Sequence, residues 1–176
     1  MKAKIKVKEL TQGCMPEIIV NGDWIDLRAS REIILEGLKS ETLKRHSDPS
    51  KNYRKVNFKW ESIPLGVAMK LPAGYEAIVA PRSGAFKKWY VTMTNSIGVI
   101  DNKYSGNNDE WHFPVLMFDE GTIHKGERIC QFRIQLSQKA TVWQKIKWLF
   151  TNGIKIVQVD ELDNNNRGGF GSTGVK

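Results

Sequence analysis

The feature that most constrains this chain is a succession of short segments of alternating or β-branched apolar residues, each ended by Gly, Pro, Asn or Asp. Such segments occupy 5–10, 17–20, 25–29, 33–35, 63–71, 75–80, 89–94, 113–118, 128–136 and 154–159. A period of two is what a strand with one buried face requires, and the turn residues between segments stop each strand after a few positions. Many short strands separated by turns fold as a sandwich or barrel, and no internal repeat is visible. At 176 residues the chain fits one domain with enough sequence for a hydrophobic core.

Two stretches break this rhythm. Residues 40–55 are polar and basic and contain Asp48-Pro49-Ser50, which reads as an excursion loop between strands. Further on, Val142, Trp143, Ile146, Leu149 and Phe150 recur at helical spacing, with Thr141 as N-cap and Gly153 just past the end. The expectation there is a short helix packed on the β body, Lys145 and Lys147 on its polar side; a membrane-surface or partner-binding helix is the alternative. After Asp160 the composition turns to Asn and then Gly, a segment that buries little apolar surface and reads as a mobile arm.

The net charge of +8 favours anionic partners, whether nucleic acid, phosphate-rich small molecules or an acidic membrane surface. Cys14 and Cys130 lie far apart, and His46, His112 and His124 are equally scattered, so no zinc spacing exists and a reducing cytoplasm is the simplest setting. The first residues lack the apolar core of a signal peptide, and no apolar run approaches the ~20 residues that span a bilayer.

Three motifs carry chemistry. Pro81-Arg82-Ser83-Gly84 follows the apolar strand 75–80; a strand end opening into a helical turn offers backbone N–H groups and a hydroxyl to an anion, and Arg82 adds a fork-shaped donor. Residues 95–106 read as a hairpin with a Gly-containing bend, whose backbone amides can line a pocket and meet the edge of a planar base. Within it Asp101 is placed to take a proton from a water, or simply to cap a turn, and Tyr104 to lie beneath a sugar, or simply to fill a half-buried strand position. The third is Arg167-Gly168-Gly169-Phe170-Gly171-Ser172-Thr173-Gly174, where glycines let backbone wrap a ligand, Arg167, Ser172 and Thr173 supply phosphate donors and Phe170 can stack on a base. No lysine follows the glycines, so this is not a Walker loop. Gly126-Glu127-Arg128-Ile129-Cys130-Gln131, alone, is an ordinary turn into a strand.

In this order, together with Gly22-Asp23-Trp24-Ile25-Asp26-Leu27-Arg28-Ala29, these segments resemble the blocks of the homotrimeric dUTPase family, and the resemblance spans nearly the whole chain. It implies an all-β distorted jelly roll, with a domain over 1–162 carrying insertions near 40–55 and 141–153, and a flexible arm over 163–176 closing over an active site. It implies a trimer whose active sites borrow segments, the arm included, from neighbouring subunits. By the same resemblance Asp101 is the general base, Tyr104 the sugar platform, and Asn95 with the backbone of Gly98, Val99, Ile100 and Asp101 the uracil reader. Arg82, Ser83, Gly84 and Gln131 would hold phosphates; Arg167, Phe170, Ser172 and Thr173 would close from the arm. Asp26 would support Mg²⁺ through water. The chain departs from the family in its arm, where Arg167 stands only three residues before Phe170, two fewer than usual.

The activity so implied is hydrolysis of dUTP to dUMP and pyrophosphate by an Asp101-activated water attacking the α-phosphorus, in the cytoplasm of a cell or encoded by a virus. No membrane or nucleic acid is required, and the insertions are candidate sites for a protein partner. Two other functions fit the fold: a dCTP deaminase, and a non-catalytic regulator built on the same frame. Tyr104 and the Phe170 arm favour the hydrolase.

Overall fold

A computed structural model of the chain describes residues 1–20 and 22–169. The order is β1 (Ala3–Glu9), β2 (Glu17–Ile18), β3 (Ile25–Arg28), β4 (Ile33–Leu35), β5 (Lys39–Arg45), β6 (Asp48–Asn57), β7 (Lys59–Lys70) and β8 (Tyr75–Pro81). Then follow α1 (Ala85–Trp89), β9 (Val91–Met93), β10 (Gly98–Ile100), β11 (Glu110–Met117), β12 (Gly121–Ile123), β13 (Arg128–Leu136), α2 (Val142–Leu149) and β14 (Ile154–Gln158). Two five-stranded sheets, β14-β1-β7-β11-β9 and β10-β8-β13-β3-β2, enclose the core, with two-stranded pairs β12-β4 and β5-β6 beside them.

The period-two pattern does what it predicts in β1 and β8, where Ala3, Ile5, Val7 and Tyr75, Ala77, Val79 turn inward and the residues between them outward. Strand β7 is buried on both faces over Leu65–Met69, so its sequence reads as a continuous apolar run. Gly66 sits in that run at φ +67, and a Cβ there would lie 2.8 Å from the Cys14 side chain and 2.9 Å from Ser30 Cβ; only glycine lets these three segments meet. At the centre Trp111 and Phe132 meet edge to face with centroids 5.2 Å apart, joining β11 to β13 across the sheets.

Residues 40–55 are not a loop. They form the antiparallel hairpin β5-β6, register Lys39↔Asn57 to Lys44↔Asn52, with Asp48 closing the turn by accepting from the Ser50 amide and hydroxyl. The hairpin is solvated on both faces, so neither face demanded apolar residues and the alternation that signals a strand was absent.

Helix α2 begins as expected, with Thr141 and Gln144 forming a reciprocal capping box. Its packing differs. At ~100° per residue, Val142, Trp143, Ile146, Leu149 and Phe150 share one side, and that side faces solvent, Trp143 75% and Leu149 78% exposed. The opposite side meets the body: Gln144 lies against Gly74, and Trp148 packs on Tyr75 at 5.3 Å between ring centroids. Tyr75 offers a buried aromatic partner only to the Trp148 side.

Residues 95–106 do not form a hairpin ladder either. Strand β9 pairs with β11 in one sheet, whereas β10 pairs with β8 in the other. The segment is an arch between sheets, and its turn at Asn95–Ile97 carries Ser96 at φ 61. After β14 joins β1 in parallel, the chain runs along the loop 101–109. No helix among the described residues is long and apolar enough to cross a membrane.

Candidate active site

The arch walls a cavity of about 330 Å³, of the size that takes a small ligand. Gly98, Val99 and Ile100 contribute through β10, Asn95 and Ile97 through the turn before it, Asp101 and Tyr104 through the loop after it, and Glu110 and His112 through β11. The sequence-predicted base-side residues thus come together. Tyr104 is half-buried, and its hydroxyl donates to the Glu110 carbonyl at 2.7 Å, which fixes the ring in the wall; burial pushes its phenol above the ordinary value.

Asp101 has two roles at once. Its Oδ1 accepts from the Lys103 amide at 2.8 Å, the turn-capping use of an aspartate, and its Oδ2 pairs with Arg167 Nη1. Partial burial would raise its carboxyl, but the hydrogen bond from Arg167, the Lys103 amide and the Arg167 charge outweigh that and leave it below the usual range.

The phosphate-side residues lie elsewhere. Arg82 Nε stands 3.1 Å from Asp26 Oδ1, and Arg128 Nη1 stands 3.3 Å from Asp26 Oδ2. They edge a second cavity of about 590 Å³ lined also by Arg28, Gly84, Lys87 and Lys88. Ser83 and Gly84 are exposed at the start of α1, and a Cβ at Gly84 would meet nothing within 4 Å. Gln131 donates to the Pro81 carbonyl at 3.4 Å. Register measures the separation: Ile100 pairs with Ala77, and Arg82 lies five residues further along, about 16 Å at ~3.3 Å per residue. Within one subunit the Ile100–Asp101 end of the cavity and the arginine cluster are therefore well separated along β8, while the cavity's other edge reaches Val79.

Asp26 is 2% exposed and faces two guanidinium groups. No group of three or more His, Cys, Asp or Glu able to hold a metal occurs among the described residues. The side chains present do not fit a directly coordinated ion; they fit at most a hydrated cation carried by a polyphosphate.

Sequence reasoning did not identify Asp109. Its carboxylate, 1% exposed, accepts from the amides of Gly106 at 2.8 Å, Arg167 at 3.0 Å and Gly168 at 3.1 Å. Asn166 accepts from the Asn108 amide at 2.8 Å, Asn164 donates to Ser105 at 2.6 Å, and Lys6 pairs with Asp163 at 2.9 Å. The signal available beforehand was Gly106-Asn107-Asn108-Asp109, which reads as a turn and hides that its aspartate points inward. Of the arm residues, Arg167 reaches the cavity, with Gly168 and Gly169 beside it. Phe170, Ser172 and Thr173 lie outside the described residues.

Comparison with known proteins supplies the family. The dUTPase family model matches residues 51–174. The SPbeta prophage-derived deoxyuridine 5'-triphosphate nucleotidohydrolase YosS of Bacillus subtilis (strain 168) is 41% identical over 176 residues, 100% of both chains. A deoxyuridine 5'-triphosphate nucleotidohydrolase of Hydrogenobaculum sp. is 38% identical over 120 residues, covering 65% of this chain and 70% of its own. Among solved structures, the dUTPase of Streptococcus mutans aligns with TM-score 0.57 at 16% identity over 74% of this chain and 91% of its own. A mutant Staphylococcus bacteriophage 80alpha dUTPase with dUpNHpp aligns with TM-score 0.56 at 20% identity over 97% and 98%; at these identities the likeness speaks for the fold. The family match over most of the chain and the full-length relative establish that the chain belongs to the dUTPase family and is a dUTP diphosphatase.

Proposed function

We propose that Asp101 is the general base of dUTP hydrolysis and that the cavity beside it takes the deoxyuridine. The observation that carries this reading is the position of Asp101 in the wall of a cavity that β10 and Tyr104 also line. Backbone donors and acceptors of Gly98–Ile100 suit the edge of uracil, and the Tyr104 ring would be the floor under the deoxyribose, against which a 2′-hydroxyl would press. A water held by Asp101 attacks the α-phosphorus, its proton passes to the carboxylate, and pyrophosphate leaves. Arginines and amides neutralise the charge that grows on the phosphate chain. Magnesium, when bound with the triphosphate, adds charge neutralisation; a related phage phi11 dUTPase coordinates a structural Mg(II) ion, and Asp26 would reach such an ion only through water after releasing an arginine.

The separation along β8 supports a homotrimer with shared sites: Arg82, Ser83, Gly84 and Gln131 of one subunit would face the cavity of the next, because a triphosphate does not bridge both within one chain. The solvent-facing apolar side of α2 and exposed Phe58 and Trp60 beside the β5-β6 hairpin support the insertions as a surface for a protein partner. We read the enzyme as cytoplasmic, cellular or virus-encoded, a reading supported by free, buried Cys14 and Cys130 and by the prophage relative. Asp101→Asn tests the base. Turnover measured as pyrophosphate release should fall by roughly two to four orders of magnitude, the scale of general-base catalysis, with dUTP binding kept; near-normal turnover would refute it.

A further inference from the structure

The outer face of β1 carries lysine at alternate positions, and both neighbouring strands add to it. Strand β14 sets Lys155 opposite Lys4, and β7 sets Lys70 opposite Lys6. Ala3, Ile5 and Val7 take the buried face, so these four lysines share the outer one. With the Leu71–Ala73 turn they line a cavity of about 460 Å³ that has no acidic residue in its wall. The turn is braced, because Asn102 Nδ2 donates to the Leu71 carbonyl at 3.0 Å and to the Pro72 carbonyl at 2.7 Å. None of these residues lines the cavity beside Asp101 or the one at the arginine cluster.

Like charges directly opposite one another on a sheet repel. One lysine pair is relieved: Asp163 Oδ2 lies 2.9 Å from Lys6 Nζ and 3.7 Å from Lys70 Nζ. The hydrogen bond from Lys6 and the charges of both lysines hold the Asp163 carboxyl below its ordinary value. That carboxylate marks where an anionic oxygen sits between two such ammonium groups. The other pair has no counterpart: among the described residues no ion pair reaches Lys4 or Lys155. Two residues along β1 separate the pairs, about 6.6 Å in a strand.

We propose that this groove is a second anion site of the enzyme and that it takes a small multivalent phosphate of the pyrophosphate class. One phosphoryl group sits between Lys4 and Lys155, and the other reaches Lys6 and Lys70 in place of Asp163. Ammonium groups bind phosphate as point charges and need no fork geometry. The spacing of the pairs calls for an anion with two charged ends, and the volume is that of a small-ligand site. The reaction itself releases such an anion. The site lies beyond the catalytic reading and does not depend on Asp101 being the base.

Binding tests it without activity. The assembled enzyme is first saturated with dUpNHpp, so that the catalytic phosphate site is filled, and pyrophosphate is then titrated by calorimetry in buffer free of divalent cations. The parent should bind one further pyrophosphate per chain, and its melting temperature should rise with pyrophosphate concentration by mass action. Lys4→Gln with Lys155→Gln should weaken this binding about tenfold or more, the scale of charge-assisted hydrogen bonds. Its melting temperature without ligand should not fall, since both side chains are exposed and their repulsion is removed. Lys4→Arg with Lys155→Arg should retain binding, and so should Lys145→Gln with Lys147→Gln, which removes the same charge from α2. No binding beyond dUpNHpp, or equal weakening in the two glutamine variants, would overturn the site. Orthophosphate should bind about tenfold or more weakly than pyrophosphate because it reaches one lysine pair only; equal affinity would refute the two-pair geometry. A short single-stranded oligonucleotide that bound more tightly than pyrophosphate would assign the groove to a nucleic-acid backbone and overturn the small-anion reading.

Discussion

A single methyl group at Gly106 is expected to weaken this enzyme while leaving its fold intact. In Gly106→Ala the new Cβ would fall 2.5 Å from Asn166 Cα and 2.6 Å from Asn166 N. These are backbone atoms, so no rotamer change relieves the overlap, and the arm root must back away from the loop. Displacement puts three contacts at risk: Asn108 N to Asn166 at 2.8 Å, Arg167 N to Asp109 at 3.0 Å and Gly168 N to Asp109 at 3.1 Å. Overpacking of this kind costs about 1–3 kcal/mol, and the lost amide bonds are partly replaced by water, so the docking of residues 163–169 on this loop is disfavoured by that order. At ~1.4 kcal/mol per tenfold, the docked population falls by about five- to 150-fold, and kcat/KM for dUTP is expected to fall with it. Steady-state pyrophosphate release measures the loss, and urea unfolding followed by tryptophan fluorescence checks that the core keeps its midpoint. Activity within twofold of the parent would refute the argument that the arm must sit on this loop to work.

Tyr104→Ala should open the floor of the cavity and raise UTP turnover relative to dUTP; an unchanged ratio of the two kcat/KM values would count against Tyr104 as the sugar gate. Phe132→Ala empties the centre of the core beside Trp111 and should cost about 3–5 kcal/mol in urea unfolding, against which a loss under 1 kcal/mol would mean that the sheets re-close over the gap. Arg167→Ala should destabilise the protein only where Asp101 is ionised. The folded carboxyl lies below its unfolded value, so the pair's contribution is present above the unfolded pKa near ~3.9 and disappears as pH falls through the lower folded value. With side chains 35% and 49% exposed, screening holds it to about 1 kcal/mol or less at pH 7; comparing urea midpoints of parent and variant at pH 7 and below pH 3 shows whether the difference vanishes.

Much of the fold was legible because burial writes itself into sequence. Strands with one wet face, such as β1 and β8, carry their alternation openly, and Thr141 announces the start of α2. The ordered blocks also named the residues that line the cavity, from Asn95 to Tyr104. Hairpin β5-β6 left no such mark, since a ribbon solvated on both faces is free to be polar throughout. The wrong side of α2 was expected inward for a related reason: amphipathicity records that an apolar face exists, not that Tyr75 waits for Trp148 on the other side.

What the sequence alone determined is chemistry and local geometry: an all-β fold, a carboxylate just past a short apolar strand with a tyrosine nearby, an arginine at the end of another apolar strand and a glycine-rich C-terminal segment. Local residue types carry these, because hydrogen-bonding capacity and backbone freedom belong to the residues themselves. Only the tertiary structure decided who meets whom. It put β9 and β10 in different sheets, separated Arg82 from Asp101 along β8, and buried Asp109 beneath Arg167. Such pairings join residues far apart in sequence, 58 for Asp109 and Arg167 and 157 for Lys6 and Asp163, and their specificity arises from packing that no local pattern records.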